Sequence, residues 1–236
     1  LHVIEVHNVH VHGVNVIKPG NRLKLHVEPN EVLLNEYRRL LNALRMSDKV
    51  VFVSSYEEAV QRALRHESEG VMPVTPQNPY LLEGYRTIYY EIFYTLRKHP
   101  DFILVPIGDG GLYTMLWTAL NELSGEAVIV GVKGRCDSPL MKDIAVEKPL
   151  LWELVEVAIK NCSGFIVEVD EEDIVEAARL LAKREGMLAE PAGAAAIAAL
   201  IKANEKFDRK SSIVAIVTGA ALTDTATLKA LIGKSI

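Results

Sequence analysis

The sequence predicts an α/β protein with mostly parallel sheets and helices on both faces. Two observations carry that expectation. From about residue 22 onward, short β-branched runs alternate with longer stretches of helical period. Several of those runs are apolar throughout, as strands covered on both faces should be. Repeated strand–helix alternation then implies parallel neighbours joined by right-handed crossovers.

Taken in order, the expected strands are Leu23–Glu28, Lys49–Val53, Val71–Thr75, Phe102–Ile107, Ala127–Lys133, Gly164–Val169 and Ser212–Val217. The expected helices are Glu31–Arg45, Tyr56–Glu67, Leu81–Lys98, Leu112–Leu123, Leu150–Asn161, Glu171–Glu185, Pro191–Ala203 and Asp224–Ile232. The helix from Glu171 is marked at both ends. Asp170 suits the N-cap, three acidic residues follow it, Lys183 and Arg184 close it, and Gly186 stops it. The first 21 residues differ, with His7, His10 and His12 set among valines. Val9 and Val11 alternate with His10 and His12, so this stretch is an exposed edge strand with one wet face; a metal pair at His10 and His12 is the competing reading. Two domains are expected, residues 1–75 and 76–236.

Composition narrows the function. Hydrophobic residues make up 49% and charged residues 24% of the 236, which are globular proportions. A net charge of -5 without a basic block argues against nucleic acid or anionic membrane as a partner. No apolar run is long enough for a membrane span. Two cysteines, Cys136 and Cys162, make no disulfide framework, so a reducing, cytoplasmic setting is expected. With Gln only at positions 61 and 77, the composition leans toward a thermophile.

Four segments carry chemistry. In "FILVPIGDGGLYTMLWTAL" an apolar strand runs through Gly108-Asp109-Gly110-Gly111 into a helix. Glycines let successive amides turn toward one point, and the helix start adds positive potential, which suits a phosphate. A tight turn without ligand fits the same residues. In "EGMLAEPAGAAAIAAL" Glu190-Pro191 precedes a helix of tiny residues that allows another element to approach closely. In "SSIVAIVTGAALTD" a strand delivers Thr218 to its C-terminal end, the edge at which open α/β sheets bind ligands. In "NPYLLEGYRTIYYEI" a turn at Asn78-Pro79 precedes a helix whose Tyr85, Tyr89 and Tyr90 suit a core or an interface.

In this order the four segments resemble the pyridoxal-phosphate enzymes of fold type II, the tryptophan synthase β-like architecture, over roughly residues 49–230. The resemblance is nearest to threonine synthases. It implies that the loop Gly108, Asp109, Gly110, Gly111 with Leu112 holds the phosphate of pyridoxal 5'-phosphate through backbone amides. It implies that Thr218 faces the pyridine nitrogen with a hydroxyl, and that Glu190 and Ala192 border the ring. The implied activity is that of a lyase in amino-acid biosynthesis. It takes a small phosphorylated amino acid, O-phosphohomoserine, through loss of the α-proton, elimination of phosphate and addition of water. Threonine or serine deamination and a non-catalytic homologue that binds a phosphorylated metabolite are the alternatives. A homodimer is expected.

The sequence departs from the pattern at named places. The family's Ser-Phe-Lys-type segment, whose lysine anchors the cofactor, is not recognisable, and Lys18 in "VIKPGNR" is the early lysine nearest a turn. Leu81, Tyr85 and Arg86 stand where the family has Arg, Gln and Lys; Ala220 stands for a His, and Leu112 for an Asn. These 236 residues alone are therefore expected to bind without turning over.

Overall fold

The structure, a computed structural model, describes residues 12–14, 51–53, 56–65, 73–135, 139–147 and 149–221. The expected elements Leu23–Glu28, Glu31–Arg45 and Asp224–Ile232, the residues His7 and His10, and Lys18 lie outside them. The chain divides into two compact units, Leu1–Asn78 and Pro79–Ile236.

In the first unit, strand β1 (His12–Val14) pairs with β2 (Val51–Val53). The pairing is antiparallel, unlike the parallel order expected overall. Helix α1 (Tyr56–Arg65) buries Ala59, Val60 and Ala63, one apolar stripe at helical spacing. The expected strand at Val71–Thr75 is not extended pairing over residues 73–75. Pro73 has no N–H for a ladder, and the chain turns at once, with the Asn78 amide donating to the Thr75 carbonyl at 2.9 Å.

The second unit holds helices α2 (Pro79–Leu96), α3 (Gly111–Glu122), α4 (Trp152–Asn161), α5 (Glu171–Glu185) and α6 (Pro191–Lys202). Its strands are β3 (Phe102–Pro106), β4 (Val128–Gly134), β5 (Phe165–Val169) and β6 (Ile213–Ala215). The strands form a parallel sheet in the order β5-β4-β3-β6. Side chains alternate between two cores, as successive residues of a strand must. Ile103, Val105 and Ile107 pack with Tyr89 of α2, Leu116 of α3 and Val155 of α4. Leu104, Val130 and Val132 pack on the opposite face with Ile174 and Leu181 of α5 and the alanines of α6. Both faces of the sheet are thereby covered, which is why β3 and β6 carry no polar side chain and β4 and β5 carry one charge each, Lys133 and Glu168.

Helix α5 shows how local sequence sets an element. Asp170 accepts from the Asp173 amide at 3.1 Å, and Asp173 accepts from the Asp170 amide at 3.0 Å. That reciprocal pair closes the N-terminus. Gly186, at φ 66, ends the helix in the left-handed conformation a Cβ would penalise. Lys202, the last residue of α6, bonds to Asp173 at 2.5 Å and to Asp170 at 3.2 Å, tying the two helices together.

Candidate functional site

The C-terminal edge of the parallel sheet gathers most of the residues singled out in the sequence. Strand β3 ends at Pro106, and the Ile107 amide still donates to the Val132 carbonyl at 2.8 Å. Gly108 then begins a loop that is crowded at its glycines. A Cβ on Gly108 would lie 2.6 Å from the Asp143 carbonyl oxygen. A Cβ on Gly110 would lie 2.6 Å from Val155 Cγ2, and one on Gly111 would lie 3.1 Å from Leu82 Cδ2. Gly110 also has φ 93, in the left-handed region. The loop is pinned from the side, because the Leu151 amide donates to the Asp109 carbonyl at 3.0 Å.

Gly110 is the N-cap of α3 and offers no side chain to cap it. The Gly110 carbonyl accepts from the amide of Thr114 at 3.1 Å and from its hydroxyl at 2.9 Å, so the first turn is closed from below. The amides of Gly110, Gly111 and Leu112 donate to no acceptor among the described residues, although Gly110 and Gly111 are buried. Buried amides in folded proteins find a partner in protein, water or ligand. Two such amides and that of the half-buried Leu112 beside them, at a helix start with the dipole behind them, suit a small oxyanion. The Leu112 side chain meanwhile packs against the α3 core.

Thr218 and Glu190 share this edge. Strand β6 lies beside β3, and the Ile216 amide continues the pairing by donating to the Leu104 carbonyl at 2.9 Å. The chain then leaves the sheet and meets the approach to α6. The Glu190 amide donates to the Gly219 carbonyl at 3.0 Å, and the Ala221 amide donates to the Leu188 carbonyl at 2.8 Å. A Cβ added to Gly219 would overlap the Glu190 carboxylate, and one added to Gly193 would lie 2.9 Å from the Gly219 oxygen. The tiny residues of α6 therefore serve the close approach that the sequence implied. Thr218 is exposed, whereas Ala192 is buried in the sheet core.

Other singled-out residues have structural work. The Arg86 guanidinium pairs with Glu83 at 2.6 Å and with Glu122 at the end of α3, so it ties α2 to α3. Tyr90 donates to Glu122 in the same cluster. Tyr89 is fully buried, and its hydroxyl bonds His99 Nδ1 at 2.7 Å; burial pushes its phenol up to about 12. Tyr113 donates to the Ile129 carbonyl at 2.8 Å, and burial holds its phenol neutral far above the ordinary range. Neither phenol is set up as a base. Among the described residues no group of three metal-binding side chains occurs. Asp143, Leu151 and Val155, which shape the loop, carried no signal in the sequence, because they act through a carbonyl, an amide and a plain methyl.

A family model described as pyridoxal-phosphate dependent enzyme matches residues 31–219. The threonine synthase of Bacillus sp. (strain ULM1) is 29% identical over 207 residues, which is 79% of this chain and 59% of that protein. The threonine synthase of Methanocaldococcus jannaschii is 30% identical over 217 residues, 79% of this chain and 54% of that one. The L-threonine ammonia-lyase of Thermotoga maritima is 32% identical over 203 residues, 77% and 49% respectively. Among solved structures, the processed form of threonine deaminase isoform 2 from Solanum lycopersicum superposes with a TM-score of 0.69 at 22% identity, covering 81% of this chain and 61% of that one. Maize serine racemase gives 0.64 at 19% identity, covering 80% and 64%. The chain thus spans between about half and three-fifths of the length of these curated relatives. The parallel sheet, the helices on both its faces and these likenesses agree with the fold-type-II architecture expected from the sequence. With most of its length matched, the chain belongs to the family of pyridoxal-phosphate-dependent enzymes.

Proposed function

We propose that the chain serves a threonine-synthase-like lyase that converts a phosphorylated amino acid, O-phosphohomoserine, to threonine. One observation carries the reading. A glycine-built helix start whose amides find no acceptor among the described residues lies at the ligand edge of the sheet, in a family whose cofactor bears a phosphate. In this reading the amides of Gly110, Gly111 and Leu112 hold the cofactor phosphate. Gly108 and Asp109 give the loop its shape, the Asp109 carbonyl through its bond from Leu151. Thr218 meets the ring nitrogen with a neutral hydroxyl, and Glu190 borders the ring. Bound pyridoxal phosphate supplies an electron sink for chemistry at the substrate α-carbon. The buried alanines of α6, Ala192 among them, keep that side of the edge rigid and dry.

Deamination of threonine or serine is the second reading. The Thermotoga maritima ammonia-lyase relative favours it. A homodimer in a cytoplasmic setting, with domains at 1–75 and 76–236, completes the proposal. Among the described residues no helix is long and apolar enough to cross a membrane. The test is to supply the full-length gene product with pyridoxal phosphate and either O-phosphohomoserine or threonine. Threonine and inorganic phosphate from the first substrate support the synthase. A 2-oxo acid and ammonia from the second, with no phosphate released from the first, supports the deaminase. Cofactor binding without turnover of either supports the non-catalytic homologue.

A further inference from the structure

The glycine loop keeps its shape because the start of α4 presses on it. Leu151 donates to the Asp109 carbonyl, and Val155 fills the space beside Gly110. The start of α4 has no side-chain cap of its own. Its first residue, Trp152, is held from both sides. The indole N–H donates to Glu156 at 3.1 Å within the helix. The Lys133 ammonium lies 4.7 Å from the centre of the indole ring.

Lys133 is well placed for this. Val132 pairs with Pro106, and the bond from the Ile107 amide to Val132 carries the ladder one step further. Lys133 therefore stands beside the entry to the loop. Val130 and Val132 face the α5 and α6 core, so alternation sends Gly131 and Lys133 to the opposite face, where α4 packs. Glu168, its register partner on β5, is exposed, and among the described residues Lys133 forms no ion pair with it. Among the described residues the ammonium's contact is with the Trp152 ring.

We infer that Lys133 is a positioning residue for the anion-holding loop. Its ammonium clamps Trp152, and through Trp152 it presses the start of α4 against Gly108–Gly111. The loop's ligand is taken from the proposed function; the clamp itself rests on the geometry alone.

Two readouts test the clamp, the first without any ligand. Amide hydrogen exchange is followed at Leu151 and Thr114, whose amides donate to the loop carbonyls of Asp109 and Gly110, in the wild type, Lys133→Met, Lys133→Arg, Trp152→Leu and the Met/Leu double variant. Loss of one cation–π contact should speed exchange at these two amides about 2- to 5-fold in Lys133→Met, while the amides of α5 keep their rates. Lys133→Arg should stay at the wild-type rate, because a guanidinium also stacks on an indole. The double variant should be no faster than the faster single one, since both remove the same contact. In the second readout the dissociation constant of pyridoxal phosphate should weaken by a similar factor in Lys133→Met alone of the two lysine variants. Unchanged exchange at these two amides in Lys133→Met, an additive double variant, or Lys133→Arg behaving as Lys133→Met would overturn the inference. If the wild type binds no pyridoxal phosphate, the proposed function fails and the exchange readout still decides the clamp.

Discussion

Gly110→Ala strikes the point where conformation and packing both demand glycine. With φ 93 and ψ -7, the backbone is left-handed. A Cβ there costs about 1–2 kcal/mol in local backbone energy. The new methyl would lie 2.6 Å from Val155 Cγ2 and 3.4 Å from the Leu151 carbonyl oxygen. Val155 is fully buried, so it has little room to retreat, and overpacking of this kind adds about 1–3 kcal/mol. The sum is a loss of about 2–5 kcal/mol, or a drop in Tm of about 5–15 °C for a chain of this size. Urea unfolding followed by circular dichroism measures the first quantity, and thermal melting the second. Val155→Ala removes the clash but not the backbone penalty, so the double variant should lose less than the sum of the singles. Gly84 is the control: it lies within α2 with nothing within 4 Å of its Cβ position. Gly84→Ala should stabilise by about 0.5–1 kcal/mol. A Gly110→Ala protein within about 0.5 kcal/mol of the wild type would refute the reasoning, because that range belongs to unconstrained surface sites.

Three further outcomes follow from particular contacts. Asp170→Ala should cost about 1 kcal/mol in urea unfolding, because it opens the reciprocal cap of α5 and removes a partner of Lys202. The hydrogen bond from Tyr90, and after it the Arg86 guanidinium, hold the Glu122 carboxyl below its ordinary value of 4.5. A depressed carboxyl contributes stability that is present above that value and lost as pH falls through the folded one, so an acid titration of Glu122→Gln should show a shallower decline below pH 4.5 than the wild type. Thr218 is exposed, so Thr218→Val should leave unfolding within about 0.5 kcal/mol of the wild type while changing the absorption spectrum of bound pyridoxal phosphate.

Elements with chemical punctuation are legible in the sequence. Helix α5 runs over the expected Glu171–Glu185 because its cap, charges and stop glycine act locally. Helices α2, α3 and α4 are followed by Arg97, Ser124 and Ser163, which take φ values of 58, 53 and 51 without being glycine. Such ends carry no sequence mark, and α2 accordingly stops at Leu96 and not at the expected Lys98. Strand β6 was expected over Ser212–Val217 but pairs as strand only over Ile213–Ala215, because the chain lifts away to meet Ala189 through the Ala189–Ala220 bridge. The glycine loop was legible because strand, glycines and helix are contiguous in the chain. Its supports were not, since Asp143, Leu151 and Val155 come from downstream segments and act through generic atoms. Lys133 did leave a trace, as a charge closing an otherwise apolar strand at the ligand edge.

In the proposed function the amides opening α3 hold the cofactor phosphate. Its most direct test is a titration of the ¹⁵N-labelled protein, followed by amide chemical shifts, with pyridoxal phosphate, inorganic phosphate and phosphate-free pyridoxal in turn. Gly110, Gly111 and Leu112 should shift most with pyridoxal phosphate, shift in the same direction with inorganic phosphate, and stay still with pyridoxal. Binding of pyridoxal phosphate that moves other amides and leaves these three in place would contradict it.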